Sequence, residues 1–216
     1  MKKEIIERVK KEKIVAIIRG INPVDCLKLA QILYKNGISV MEIPFDVSKT
    51  NNDNTIISIM EIKKTMPDVI VGAGTVINID FFNKAKEAGA QFIVSPNIDN
   101  FVITEAKNNG IVVMPGAMTP TEIEYAHRLG ADFVKVFPAS VLGAGYIKAV
   151  RSPLNNIDII AVGGVNENNA GDFIKAGAIG VGVGCVANKA LIKEHKWQEI
   201  EDIIIKLKKS VNEARM

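Results

Sequence analysis

Two ionisable side chains stand where a buried strand should carry none. In ADFVKVFPAS, residues 131 to 140, Lys135 interrupts an apolar run, and in ISVMEIPF, residues 38 to 45, Glu42 does the same. Stripping water from an ammonium or a carboxylate is costly unless a partner compensates, so neither residue is a neutral choice for a strand. A lysine desolvated among apolar neighbours has its pKa lowered, which leaves more of the neutral amine to attack a carbonyl and form a Schiff base. A carboxylate facing the same space could carry protons to and from the carbinolamine and the reacting carbon. The same two residues could also form an interior ion pair with no chemistry, and their positions alone leave both possibilities open.

The elements that must position them recur along the chain. Short β-branched runs occur at IVAII (14 to 18), SVMEI (39 to 43), VIVGA (69 to 73), QFIVS (91 to 95), IVVMP (111 to 115), DFVKVF (132 to 137), IDIIAV (157 to 162) and IGVGVG (179 to 184). Between them lie stretches such as VDCLKLAQILYKNG and TEIEYAHRLG, with apolar positions three and four apart and a glycine just past the end. This is the pattern of amphipathic helices. Strands alternating with helices imply parallel pairing, and nearly continuous apolar runs imply strands covered on both faces. The pattern predicts an α/β protein, an eight-stranded parallel (β/α)8 TIM barrel, with residues 1 to 216 forming one domain. A short helix over the first eleven residues precedes it, and the charged tail from about 196 completes the last helix. An open doubly wound sheet is the alternative, but no Gly-x-Gly-x-x-Gly turn follows the first strand.

A barrel of this kind carries its active site at the C-terminal ends of the strands. Arg19, Glu42, GAGT (72 to 75), Lys135, Gly163 with Gly164, and Gly184 with Cys185 all fall there. Alternation groups Phe133, Lys135 and Phe137 on one strand face and Val40, Glu42 and Pro44 on another, so both charged groups point inward if the wholly apolar faces lie under the helices. The glycine-rich loops after the last two runs offer backbone N–H groups where such barrels commonly hold a phosphate. Tight turns needing positive φ explain single glycines, but explain pairs in adjacent loops less well.

Composition narrows the partners. The 216 residues are 48% hydrophobic and 24% charged with a net charge of +3, an ordinary soluble globular balance. Basic residues are spread along the helices without an aromatic-interleaved stripe, which argues against nucleic acid. No apolar run approaches the roughly 20 residues that cross a bilayer. Cys26 and Cys185 have neither zinc nor disulfide spacing, and the charged N-terminus lacks the apolar core of a signal peptide, so the expected setting is a reducing cytoplasm. His127 and His195 read as surface or packing residues, Cys26 as core, and Trp197 as packing for the last helix.

These motifs together resemble the class I aldolases that act on 2-keto-3-deoxy-6-phosphogluconate (KDPG) and 4-hydroxy-2-oxoglutarate (KHG). The resemblance runs through VAIIRG, GISVMEIPF, VGAGTV, EAGAQFIVSPNID, MPGAMTPTEIEYAHRLGADFVKVFPAS and AVGGVNENNAGDFIKAGAIGVGVG in order. VKVFPA and MPG-x-x-TP-x-E are its specific parts. It implies that Lys135 is the Schiff-base lysine and Glu42 the general acid/base. Arg19, Thr75, Pro96 and Phe137 would line the substrate pocket, and Gly163, Gly164, Gly184 and Cys185 would surround a phosphate. The implied partners are a 2-keto acid substrate and pyruvate, with no cofactor, no metal and a homotrimeric assembly.

Three positions depart from the family pattern. Asp46 stands where some members carry an arginine able to hold the substrate carboxylate, Val162 where many have threonine, and Cys185 where many have serine. KDPG, its galactonate epimer and KHG therefore all remain candidate substrates. A phosphosugar isomerase or thiamine-phosphate-synthase-like barrel, and a non-catalytic phosphometabolite-binding barrel, are the other functions considered.

Overall fold

β-branched runs buried on both faces, alternating with amphipathic helices, build the parallel architecture that the sequence predicts. The computed structural model describes residues 2–214, so Met1 of the expected N-terminal helix and the last two residues of the expected domain lie outside the described residues. The chain begins α1 (Lys2–Glu12), β1 (Ile14–Ile17), α2 (Pro23–Lys35), β2 (Val40–Pro44), α3 (Asp53–Thr65), β3 (Ile70–Gly74). It continues α4 (Ile79–Glu87), β4 (Phe92–Val94), α5 (Asn100–Asn108), β5 (Val112–Met114), β6 (Gly116–Ala117), α6 (Pro120–Leu129), β7 (Val134–Val136). It ends α7 (Ala139–Arg151), β8 (Ile159–Val162), α8 (Ala170–Lys175), β9 (Gly180–Val183), a 3-10 turn (Cys185–Ala187), α9 (Lys189–Lys193) and α10 (Trp197–Glu213).

The sheet order is β5-β4-β3-β2-β1-β9-β8-β7-β6. Its two edges are β5, which falls within the fifth run expected from the sequence (111 to 115), and β6, a two-residue strand just past that run; Pro115 separates them. Proline has no N–H to give to a ladder, so the expected strand stops before Pro115 and a short unexpected one resumes after it. The barrel closes at that point, where the Pro115 carbonyl accepts a hydrogen bond from the Lys135 N–H at 2.9 Å.

Apolar side chains form two layers. Val40, Ile70, Phe92, Val112, Phe133 and Ile160 fill the barrel, joined from below by Ile5 and Val9 of α1. Met41, Val71, Ile93, Val134 and Val181 face outward into the layer that holds the helices. α1 therefore plugs the N-terminal end of the barrel, with Ile5 at 3% and Val9 at 0% exposure. Its lysines tie down the strand starts: Lys2 Nζ lies 3.0 Å from Asp132 and Lys10 Nζ 2.8 Å from Asp158.

Local signals place the helices that face the other end. α6 starts on a capping box between Thr119 and Glu122 with Pro120 in its first turn, and it stops at Gly130 with φ +96. Among the described residues, no helix is long and apolar enough to cross a membrane.

Candidate active site

β2 and β7 turn Glu42 and Lys135 onto the same inward faces as Val40 and Phe133. Glu42 pairs in register with Ile17 of β1 and Gly72 of β3, and Lys135 with Gly116 of β6 and Ile160 of β8. Lys135 is 6% exposed and Glu42 2%. They share the barrel interior without a contact ion pair, since none is found within 4.0 Å, and Glu42 Oε1 is buried with no hydrogen-bond partner. Lys135 Nζ lies 5.0 Å from the centroid of the Phe137 ring.

Burial dominates the protonation of both groups. It pulls Lys135 below the ordinary lysine value of 10.5, with the Glu42 charge opposing and the Arg19 charge adding to the fall. It pushes Glu42 above 4.5, with Lys135 and Arg19 opposing. Each group is driven toward its neutral form, which for the lysine is the nucleophilic form.

Glycines make the room. A Cβ on Gly74 would lie 1.8 Å from Glu42 Oε1, so only glycine at the end of β3 admits the carboxylate in its present seat. A Cβ on Gly116 would lie 2.4 Å from the Pro96 backbone, which packs against the strand beside Lys135.

A cavity of about 410 Å³ opens above these residues, lined by Arg19, Glu42, Lys135, Phe137, Val162, Gly163, Gly164, Gly184 and Lys189. Thr75 joins it through a hydrogen bond that Arg19 Nη2 donates to Thr75 Oγ1 at 3.0 Å. Thr75 holds φ +58, a strained value for a β-branched residue. Gly163 and Gly164 turn at φ +97 and +70, where glycine alone is unstrained. Their loop packs on the start of α7: the Ser140 N–H donates to the Gly163 carbonyl at 2.9 Å, and a Cβ on Gly164 would lie 2.1 Å from Ser140 Oγ.

Of the residues singled out from the sequence, Arg19, Glu42, Lys135, Phe137, Gly163, Gly164 and Gly184 thus line one cavity. Thr75 reaches it only through Arg19. Pro96 and Cys185 are not in its lining; Cys185 opens the 3-10 turn behind Gly184, and burial pushes its thiol up to about 11. Asp46 faces a neighbouring groove of about 430 Å³, which shares Arg19 and Lys189 with this cavity, and accepts a hydrogen bond from the Ser48 hydroxyl at 2.6 Å.

Two contributors are not evident from the sequence, Ser140 and Lys189, and Gly74, singled out there only as part of GAGT, gives no hint that it seats Glu42. Lys189 resembles any exposed helical lysine in NKALIK, yet its place just after β9 is a signal that it borders the C-terminal end. His127 and His195 lie outside the cavity lining. Among the described residues, no group of three or more His, Cys, Asp or Glu side chains is placed to hold a metal ion.

Comparison with known proteins converges on one family. Residues 5–203 match the family model for KDPG and KHG aldolase. The chain is 37% identical to the 2-dehydro-3-deoxy-6-phosphogalactonate aldolase of Escherichia coli over 173 residues, covering 79% of this chain and 82% of that protein. It is 32% identical to the 2-dehydro-3-deoxy-phosphogluconate aldolase of Haemophilus influenzae over 203 residues, 93% of each. A solved structure described as native KDPGal superposes with a TM-score of 0.82 at 33% identity, covering 93% of this chain and 95% of that one.

Proposed function

The chain belongs to the KDPG and KHG aldolase family, and from that premise we propose that it is a class I aldolase. In this reading it reversibly cleaves 2-keto-3-deoxy-6-phosphogluconate to pyruvate and D-glyceraldehyde 3-phosphate, and 4-hydroxy-2-oxoglutarate to pyruvate and glyoxylate. The observation that carries it is a buried lysine sharing the barrel interior with a buried carboxylate that has an unbonded oxygen, both opening onto one cavity.

Neutral Lys135 attacks the C2 carbonyl, and loss of water from the carbinolamine leaves an iminium. Glu42, as the carboxylate, takes the proton of the C4 hydroxyl, directly or through a water. The C3–C4 bond breaks, its electron pair flows into the iminium to give an enamine, and the aldehyde departs. Glu42 returns the proton to C3, and hydrolysis of the iminium releases pyruvate and restores the lysine. The iminium is the electron sink, so the sequence of steps calls on no external cofactor.

Arg19, held by Thr75, is placed to bind the substrate carboxylate, in line with its charge acting on both Lys135 and Glu42. Phe137 covers the lysine, and Gly163, Gly164 and Gly184 offer backbone to the phosphate at the far side of the same cavity. Pro96 packs against Gly116 beside Lys135, and Cys185 opens the turn behind Gly184. Residues 1 to 216 act as one barrel domain in this reading. A reducing cytoplasm suits its two free cysteines. A homotrimer is the proposed assembly, and Phe101 and Ile79, 77% and 39% exposed in one groove, give it an apolar surface to bury.

One observation favours the galactonate epimer as a second reading. The two sugar acids differ at C4, and the chain is 37% identical to the phosphogalactonate aldolase of Escherichia coli, against 32% to the phosphogluconate aldolase of Haemophilus influenzae. Pyruvate release, coupled to lactate dehydrogenase, from the gluconate, its galactonate epimer and 4-hydroxy-2-oxoglutarate decides among them. Turnover of at least one is expected, and the ratio of kcat/KM for the two epimers names the sugar. No pyruvate from any of the three would contradict the aldolase.

A further inference from the structure

Two cations border the cavity, and neither has a carboxylate partner within 4.0 Å among the described residues. Arg19 donates to the neutral Thr75 hydroxyl. Lys189 lies across the adjoining loop, where a Cβ on Gly20 would fall 2.7 Å from its Nζ. Acidic groups are near, in the neighbouring groove that both cations also line, but they are engaged elsewhere. Asp46 is held by the Ser48 hydroxyl and lies 3.7 Å from Lys49, and Asp53 accepts from Asn51 at 2.7 Å. Neighbouring cations left without a counter-charge on the rim of a pocket define a place for an anion.

The two are not equivalent. Arg19 is near enough that its charge acts on Lys135 and Glu42, whereas Lys189 is not among the charges that move either group. A 2-keto-3-deoxy-6-phospho acid bound through C2 carries its carboxylate on the adjacent carbon and its phosphate at the other end of the chain. Arg19 therefore belongs to the carboxylate end and Lys189 to the distal end of the cavity that Gly163, Gly164 and Gly184 also line.

We propose that Lys189 is the cation that meets the substrate phosphate at the cavity mouth, and that it sets the preference for phosphorylated over unphosphorylated 2-keto acids. The proposal rests on the aldolase reading above. It adds a full charge to a cavity whose distal glycines offer only backbone N–H groups. Lys189 is exposed and opens a five-residue helix capped by the Asn188 side chain, so replacing it leaves the core untouched.

The test compares wild type, Lys189→Met and Lys189→Arg on 2-keto-3-deoxy-6-phosphogluconate, its galactonate epimer and their unphosphorylated counterparts. Lys189→Met should lower the phosphorylated-to-unphosphorylated ratio of kcat/KM by about tenfold, chiefly through KM, as expected for loss of one charge-assisted contact. It should weaken competitive inhibition by inorganic phosphate, and Lys189→Arg should restore most of both. A ratio unchanged in Lys189→Met, with wild type active, overturns the role of Lys189 and leaves the aldolase standing. Wild type inactive on every substrate overturns the aldolase reading and this proposal with it.

Discussion

The two ends of the barrel treat charge in opposite ways. Below, Lys2 and Lys10 reach Asp132 and Asp158 at 3.0 and 2.8 Å, and Ile5 and Val9 seal the interior. Above, Lys135 and Glu42 are buried without a contact partner, Arg19 and Lys189 face a cavity, and Thr75 sits in a strained conformation. Magnitudes identify what holds the lower end together. The Lys10–Asp158 pair leaves its side chains 36% and 31% exposed, so it contributes at most about 1 kcal/mol. Burying Ile5 or Val9 contributes about 1.5–3 kcal/mol each. The plug is held chiefly by apolar burial, with the ion pairs a smaller addition. At the upper end, desolvated charges oppose stability in exchange for reactivity, the trade commonly found at active sites.

Substitutions on either side should separate these roles. Glu42→Gln should lower kcat by about 10²–10⁴-fold, the range for loss of a general acid/base. Its effect on stability should run the other way. Because the folded pKa of Glu42 is raised, wild type holds this contribution below the ordinary value of 4.5 and loses it as pH rises through the folded value. Gln cannot ionise and escapes that loss. Urea unfolding at acid and neutral pH should therefore show the variant at least as stable as wild type at neutral pH, and a large loss there would mean that the upper end is structural after all.

Ile5→Ala, at the plug, should cost about 2–5 kcal/mol of stability by the same urea measurement while kcat of the folded enzyme stays within about twofold. A comparable fall in kcat would break the division between the ends. The smallest effect should come from Lys10→Met, at most about 1 kcal/mol and diminishing in high salt, with no change in turnover.

Much of this division is legible in the amino-acid sequence. Two charged residues in period-two strands, and their position near the strand ends, suffice to turn Lys135 and Glu42 into one interior, because pleat alternation is fixed by covalent geometry. Pro115 is visible at the end of its run, but the short strand Gly116–Ala117 that resumes beyond it is not, because it is defined only by its pairing with β7. Gly74 does not read as a seat for Glu42, since that requires knowing which side chain crosses from the next strand. Lys189 is hidden for a related reason: a lysine at the start of a short helix looks solvated unless the turn bringing it back over Gly20 is seen. Family resemblance puts Thr75 in the substrate pocket, but that it accepts a hydrogen bond from Arg19, and that Asp46 lines an adjoining groove, is visible only in the structure.

The decisive measurement is borohydride trapping with pyruvate, followed by intact mass and peptide mapping across a range of pH. Burial lowers the Lys135 pKa below 10.5, so neutral amine, and with it reducible imine, should accumulate as pH rises through that lowered value. A reduced pyruvate adduct on Lys135, absent from Lys135→Ala, is the predicted result. A folded wild-type protein that traps no adduct in excess pyruvate, or traps it on another lysine, would contradict the chemistry assigned to the upper end of the barrel.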